Sequence, residues 1–491
     1  MNTDQRLLRK ETGAYYTPDS VVSTLVSWAV RRQEDRLLDP ACGDGRFIAS
    51  HHNSVGIEQD SQAAQEAGAR APRASVYGDD FFAWAANTND RFECAAGNPP
   101  FIRYQTFNGD IRARALKLCK RAGAEFTGLA SSWAPFLVAT ASLLKPGGRM
   151  AFVVPAEVGH APYSSPLLDY LVRSFSIVQV VAIRKKLFPT LSEDCWILYT
   201  EGFGGCTSTI RFSVQEAFRQ TPVPPSQFMK VPIREWREFW NCRLRPFVLP
   251  AAVRAFYRDM ARHPGASRLG DVASVGIGYV TGANSFFHLR PSVASHWNLP
   301  TSMLRATVRN GRVLPRLRLT SATVEAWQRD DEPVLLLHVP RDAELPDTVR
   351  RYLETDEGRA ARETYKCRVR DPWYSVPDVR IPDFFLSYMS GQEPSLVYNE
   401  AGCTCTNSVH GVHMKTRVAV DDLLAVWESA FVKLSCEIEG HPLGGGMLKL
   451  EPREASRILL PPRATPRQMD NAFVEQAVTI MREWRHYAES A

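Results

Sequence analysis

Residues 36–47, RLLDPACGDGRF, and residues 92–101, FECAAGNPPF, decide how the chain is read. Each starts as a short apolar run of the kind that forms a buried strand, and each closes on residues suited to a ligand. The first ends in Asp39 and Asp44 among Gly43 and Gly45, the second in Asn98, Pro99, Pro100 and Phe101. Between them GIEQD (56–60) and SVYGDDFF (75–82) repeat the pattern, with a helix-like stretch at 61–70. Ahead of them, 19–33 carries apolar residues at helical spacing behind Asp19 and Ser20. Beyond them come a helix-like 131–144 (SSWAPFLVATASLL) and the β-rich runs GGRMAFVVPAEV, SIVQVVAI and CWILYT. Such alternation over about 200 residues predicts an α/β, doubly wound, mostly parallel sheet. Ligands in such sheets sit beyond the carboxyl ends of the strands, so four polar clusters at four strand ends are expected to face one cleft.

The glycine loop only partly matches a dinucleotide fingerprint. The third glycine of GxGxxG falls at Ile48, and two carboxylates stand where a pyrophosphate would be repelled. Carboxylates suit a cationic ligand, and S-adenosylmethionine, with an ammonium, a sulfonium and a ribose but no phosphate, fits. Glu58, at the next strand end, is placed to accept from ribose hydroxyls, and Asp80 to hold the adenine amino group.

Asn98-Pro99-Pro100-Phe101 is the most specific signal in the chain. Two prolines remove backbone donors and stiffen the segment, so the Asn98 side chain and the Pro99 carbonyl can act as fixed acceptors. An amino group conjugated to a heteroaromatic ring is a poor nucleophile. Two acceptors gripping its N–H bonds favour a pyramidal nitrogen and aim its lone pair at a methyl on sulfur. A base bearing that nitrogen must leave the duplex, which costs a few kcal/mol that aromatic stacking offsets. Phe101 is the stacking candidate on one side and Phe188, in KKLFPTLSED, on the other.

With these residues in place, the sequence resembles the gamma-type, TaqI-like DNA adenine-N6 methyltransferases of restriction-modification systems. The resemblance runs over about residues 12–201 in motif order: TGAYYTP, DPACGDGRF, VGIEQD, GDDFF, GNPPF, SSWAPFLVATASLLKPGG, MAFVVPAEV and KKLFPTLSEDCWILY. It implies that Thr17 and Ala41 join Asp39, Gly43, Glu58 and Asp80 around the cofactor, with Phe136 packing on its adenine. It also implies that Asn98, Pro99, Pro100 and Phe101 form the catalytic segment and that Phe188 stacks on the base. Many relatives carry tyrosine where this chain has Phe101, so stacking survives and a hydroxyl is lost.

The implied organisation is a catalytic methyltransferase domain at 1–220, a linker at 221–240 marked by TPVPPSQ, and a mixed α+β target recognition domain at 241–491 ending in a helix near 467–488. In that second half, VGIGYVTGANSFFHL (275–289), DPWYSVP (371–377) and CTNSVHGVH (405–413) resemble pieces of larger family members. Their glycines permit turns close to DNA, and Trp373 and Tyr374 are candidates to touch sugar or base. Cys403, Cys405, His410 and His413 raise zinc, but CxC followed by HxxH lacks the usual ligand spacing, so no metal is expected.

Composition agrees with a folded globular chain: 44% hydrophobic and 23% charged residues exclude collagen-like, coiled-coil and wholly disordered classes. The start MNTDQRLLRKETG lacks an apolar signal region and no stretch reaches the roughly 18 apolar residues of a membrane span, so a cytoplasmic location without membrane partners is expected. Ten scattered cysteines read as reduced thiols. The net charge of +6, divided as +2 before residue 220 and +4 after, is too small to announce nucleic acid by itself. Basic runs at Arg103–Arg121 and Arg305–Arg318 are solvated faces or phosphate contacts.

The expected activity is S-adenosylmethionine-dependent methylation of adenine N6 in double-stranded DNA by a monomer. No nuclease constellation is evident, so any restriction endonuclease or other defence subunit is expected on a separate chain. Cytosine-N4 methylation is the nearest alternative, since cytosine offers a similar amino group. Protein-glutamine methylation uses the same acceptor chemistry in generally smaller enzymes, and a non-catalytic nucleic-acid-binding module is a further alternative.

Overall fold

The computed structural model describes residues 17–189, 191, 193–443, 445–462 and 472–487. Residues 12–16 of TGAYYTP, Thr190 and Ser192 of the Phe188 segment, and both ends of the expected 467–488 helix lie outside the described residues. The chain divides into two compact units, one reaching Val248 and the other starting at Leu249.

The first unit is built on a nine-stranded sheet. Its strands are β1 (Leu37–Asp39), β2 (Ser54–Ile57), β3 (Ser75–Tyr77), β4 (Phe92–Gly97), β5 (Leu144–Pro155), β6 (Phe175–Ile183), β7 (Cys195–Phe203), β8 (Thr209–Gln215) and β9 (Met229–Pro232). They are ordered β3-β2-β1-β4-β5-β7-β6-β8-β9. The run from β3 to β5 is parallel, with Asp39 opposite Gly56 and Leu38 opposite Ala95. Antiparallel pairing enters where β7 inserts between β5 and β6, and again at β8–β9. The strand order reverses between β1 and β4, which is the switch point where such sheets open a ligand crevice. Burial on both faces explains the continuous apolar runs: Leu37, Leu38, Cys94, Ala95 and Ala96 are all fully buried.

The helices follow from caps and apolar stripes. Helix α1 (Asp19–Ala29) buries Val21, Val22, Leu25, Val26 and Ala29. Helix α2 (Arg46–Ala49) is a single turn after the glycine loop. Helix α3 (Ser61–Arg70) starts at Asp60, whose carboxylate accepts the Ala63 N–H at 2.9 Å, and α4 (Phe81–Asn87) starts at Asp80, which accepts the Phe82 N–H at 3.1 Å. Helix α5 (Gly109–Ala122) ends on left-handed Gly123 and carries much of the basic run, burying only Ala115 and Cys119. Helix α6 (Trp133–Ala141) is buried along its whole length, and α7 (Ser164–Ser174) precedes β6.

One expectation changes here. The 221–240 segment is a linker only in its proline-rich part. Beyond it Val231 is fully buried, β9 pairs with β8, and α8 (Ile233–Glu238) buries Ile233 and Trp236, because the segment supplies apolar residues that close the edge of the sheet. In the basic run Arg305–Arg318, Arg316 pairs with Glu428 at 2.9 Å and Arg318 with Asp421 on the surface, so these two remain on a solvated face.

The second unit holds smaller sheets. The largest has five strands, ordered Ala273–Ile277, Val409–Met414, Phe384–Ser387, Leu396–Asn399 and Arg318–Leu319. Its core includes Phe384, Leu386, Val412, Leu448 and Leu450. The closing helix Ala472–Glu483 lies near Ala430–Glu439, and Arg485 just beyond it is fully buried on Glu437 at 2.8 Å. The mixed α+β character expected of this half is therefore present. No helix among the described residues is long and apolar enough to cross a membrane.

Candidate active site

Adjacent strands in the order β3-β2-β1-β4 set the residues at or just beyond their carboxyl ends in a row: Asp80, Glu58, Asp39 and Asn98. Neighbouring parallel strands lie about 4.8 Å apart, so the row spans one small-molecule ligand.

Asp39 ends β1 and is 1% exposed. Its Oδ1 accepts the Ala41 N–H at 3.2 Å, while Oδ2 is buried without a hydrogen-bond partner among the described residues. Burial raises its pKa to about 8, the Ala41 N–H works against that rise, and Glu58 and Asp44 add to it. The loop then turns through Gly43 at φ +53° and Gly45 at φ +86°. A Cβ on Gly45 would meet the Ala67 backbone of α3 at 2.7 Å, whereas one on Gly43 would meet nothing within 4 Å. Gly45 therefore permits close helix packing, and Gly43 leaves its space open for a ligand.

Glu58 is a structural clasp as well as an acceptor. Its Oε2 accepts the Gly43 N–H at 2.9 Å and its Oε1 the Asp60 N–H at 2.8 Å, so each oxygen keeps one lone-pair direction. Asp44 departs from the reading of the loop as two carboxylates for a cation. It is buried and accepts Arg46 Nε at 3.0 Å and Arg70 Nη2 at 2.9 Å, so its charge is spent inside the protein. Asp80 caps α4 and is paired with Arg114 of α5. Phe136 is 8% exposed, stacked on Phe81 with ring centroids 5.2 Å apart and set edge-on to Phe82 at 4.6 Å. Thr17 is buried, and its carbonyl accepts Arg46 Nη1 at 3.5 Å.

Asn98 follows β4 on the other side of the switch point. Pro99 is buried, and Asn98 and Pro100 are half-buried. Gly97 is in contact with Asp39, so the acidic loop and the Asn98–Phe101 segment adjoin. Ser132, at the start of α6, donates from its hydroxyl to the Pro100 carbonyl and accepts the Ile102 N–H at 3.0 Å. Phe101 packs on an apolar cluster that includes Leu187, Phe188 and Leu191. Phe188 is only 6% exposed, so the same ring serves the core. Arg103 pairs with Glu193 at 2.9 Å, joining the stretch after Phe101 to the Phe188 segment.

Sequence reasoning missed Ser132, Arg114, Arg46 and Arg70. The Ser-Ser pair before the apolar run of α6 is a helix-start signal and was the one available clue to Ser132. It also missed Glu157, just after β5, whose buried carboxyl is pushed above its usual range and accepts the Tyr163 hydroxyl.

The chain is similar to known DNA methyltransferases. Residues 4–81 match the family described as N-6 DNA Methylase, residues 50–188 the Eco57I restriction-modification methylase, and residues 243–490 the type II methyltransferase M.Eco57I, C-terminal domain. The type II methyltransferase M.AccI of Acinetobacter calcoaceticus is 20% identical over 478 residues, covering 91% of this chain and 85% of the relative. M.XamI of Xanthomonas campestris pv. amaranthicola is 23% identical over 475 residues with the same coverage. The structure of the type IIL restriction-modification enzyme MmeI in complex with DNA shares the fold at 12% identity and a TM-score of 0.55, covering 93% of this chain and 68% of that one. The doubly wound fold with an additional unit is thus that of known methyltransferases, and the chain belongs to the family of the type II methyltransferase M.Eco57I.

Proposed function

We propose that the chain is a gamma-type, S-adenosylmethionine-dependent DNA methyltransferase that modifies the N6 amino group of an adenine turned out of double-stranded DNA. The observation that carries this reading is the contact of Gly97, the last residue of β4 and the one before Asn98-Pro99, with the buried acid Asp39 at the end of β1, at the switch point of the sheet.

The residues fit the cofactor. Asp39 Oδ2 is a buried acceptor without a partner among the described residues, Gly43 leaves open space beside it, and Glu58 keeps acceptor capacity for hydroxyls. Ala41, Asp80 and Phe136 complete the surround, with the Arg114 pair lowering the net charge at Asp80. When bound, S-adenosylmethionine supplies the electrophilic methyl group.

The chain's own work is alignment. The Asn98 side-chain oxygen and the Pro99 carbonyl accept the two N–H bonds of the target amino group, which localises its lone pair without a strong base. Phe101 and Phe188 flank the base, and their apolar cluster excludes water from the reacting face.

The unit from Leu249 onward is read as the target recognition domain. Residues 275–280, Pro377 and Cys405, Gly411 and His413, from stretches far apart in sequence, line one cavity of about 640 Å³. Lys366 and Arg380 are exposed on its wall beside Ile277, Pro377 and His413. Cationic side chains beside apolar ones suit phosphates and base edges together. The enzyme acts as a monomer, and any restriction endonuclease partner is a separate chain.

Incubation with methyl-labelled cofactor and mixed-sequence duplex DNA, followed by digestion to nucleosides, tests the reading. Label is expected in N6-methyladenine. Label in N4-methylcytosine, or in protein and not DNA, would replace it.

A further inference from the structure

A serine at the start of a helix ordinarily turns its hydroxyl onto the free N–H groups of its own first turn. Ser132 does not. It has helical backbone angles, φ −58° and ψ −36°, and makes no side-chain bond to α6. Its hydroxyl instead donates to the Pro100 carbonyl and accepts the Ile102 N–H at 3.0 Å, while its backbone N–H donates to the Ile102 carbonyl at 2.9 Å.

Three bonds from one residue matter because of what the catalytic segment lacks. Residues 98–103 belong to no helix or strand. Pro99 and Pro100 have no N–H, so the segment has few donors of its own with which to fix itself. Ser132 is fully buried, so water has no route to replace its hydroxyl in this arrangement.

The post that carries Ser132 is itself anchored. Every residue of α6 is buried. The next residue, Trp133, donates from its indole to the Tyr163 hydroxyl at 3.3 Å, and that hydroxyl donates to Glu157 beyond β5. The tether therefore runs from the catalytic segment through the start of α6 to the strand next to β4.

We propose that Ser132 is a positioning residue for methyl transfer: by holding Pro100 and Ile102, its hydroxyl fixes the direction of the Pro99 carbonyl and the Asn98 side chain. The inference rests on the methyltransferase reading for its kinetic consequence, but the tether itself has a separate readout.

The test is Ser132→Ala, which keeps the helix and removes the hydroxyl. Misplacement of reacting groups by about 1 Å costs about a hundredfold in rate, so kcat is expected to fall about 10- to 100-fold. The cofactor Kd and the KM for DNA should change by less than about threefold, since the residue touches neither. Hydrogen exchange read by mass spectrometry should accelerate in peptides covering 98–103 and stay unchanged in β1 and β2. A kcat within about twofold of wild type overturns the proposal, as does loss of cofactor binding in parallel with kcat, which marks a general packing role. Should the wild-type chain methylate no DNA, the functional reading falls, and exchange alone decides: unchanged protection of 98–103 in the variant overturns the tether.

Discussion

Asp39 and Gly97 touch across the switch point: a Cβ at position 97 would stand 2.6 Å from Asp39 Oδ1 and 3.1 Å from the Phe152 ring. The strand that leads to Asn98 can lie beside the buried acid only because this residue has no side chain. Gly97→Ala must displace either Asp39 or β4, and overpacking of a close-fitted core costs about 1–3 kcal/mol. We expect cofactor affinity and methyl transfer to fall together, with a lowered unfolding temperature. Calorimetric titration of the cofactor and a thermal melt check it, and unchanged cofactor affinity would refute the contact.

Asn98→Ala separates chemistry from binding. Removal of one preorganised hydrogen-bonding group at a reacting centre costs about a hundred- to a thousandfold in rate. Methyl transfer should fall by that order while the cofactor Kd stays within about threefold, because the acids proposed to hold the cofactor, Asp39, Glu58 and Asp80, lie at the end of β1, just beyond β2 and at the start of α4. A parallel loss of cofactor binding would mean that Asn98 serves the fold of the site.

Asp39 gives the protein a signature in pH. Its carboxyl is held protonated up to about 8 by burial, against about 3.9 in an unfolded chain. Between these values the folded state binds the extra proton, so this group makes stability decline as pH rises from about 4 to 8 and level off above. Asp39→Asn should remove that decline. A cation binding beside Asp39 favours its ionised form, so S-adenosylmethionine binding should release a proton below pH 8 and tighten as pH rises towards it. Titration calorimetry at pH 7 in buffers of different ionisation enthalpy measures the release, and an equal proton count for the Asn variant would sink the assignment.

The parallel half of the sheet was legible because each strand is an apolar run that stops at a polar residue, and Asp39, Glu58, Asp80 and Asn98 mark those stops. What neutralises two of these clusters was not legible. Arg46, Arg70 and Arg114 reach Asp44 and Asp80 from helices whose sequence says nothing about their target. Helix α5 hid behind its charges, since Ile111, Ala115 and Cys119 make too thin a stripe against Arg112, Arg114, Lys117 and Lys120. In the second unit many strands have only two residues, too short to show a period. Its cavity emerged only when three distant stretches came together.

That cavity separates its cations by role, which allows a sharper prediction. Arg370 donates to the carbonyls of Thr281, at 2.6 Å, and Val280, so it holds the loop that forms one wall. Lys366 and Arg380 are exposed on the same wall. Lys366→Ala and Arg380→Ala should weaken DNA binding and reduce the slope of log affinity against log salt by about one unit for each phosphate that is no longer neutralised. Neither should alter the cofactor Kd, since both lie in the second unit. Arg370→Ala should instead lower the unfolding temperature of that unit, because the Val280 carbonyl loses its Arg370 donor and the Thr281 carbonyl keeps only the weak Cys367 thiol. Fluorescence anisotropy of labelled duplex across a salt series reads the first effect, and an unchanged slope in both exposed variants would move the DNA-facing surface elsewhere on the unit.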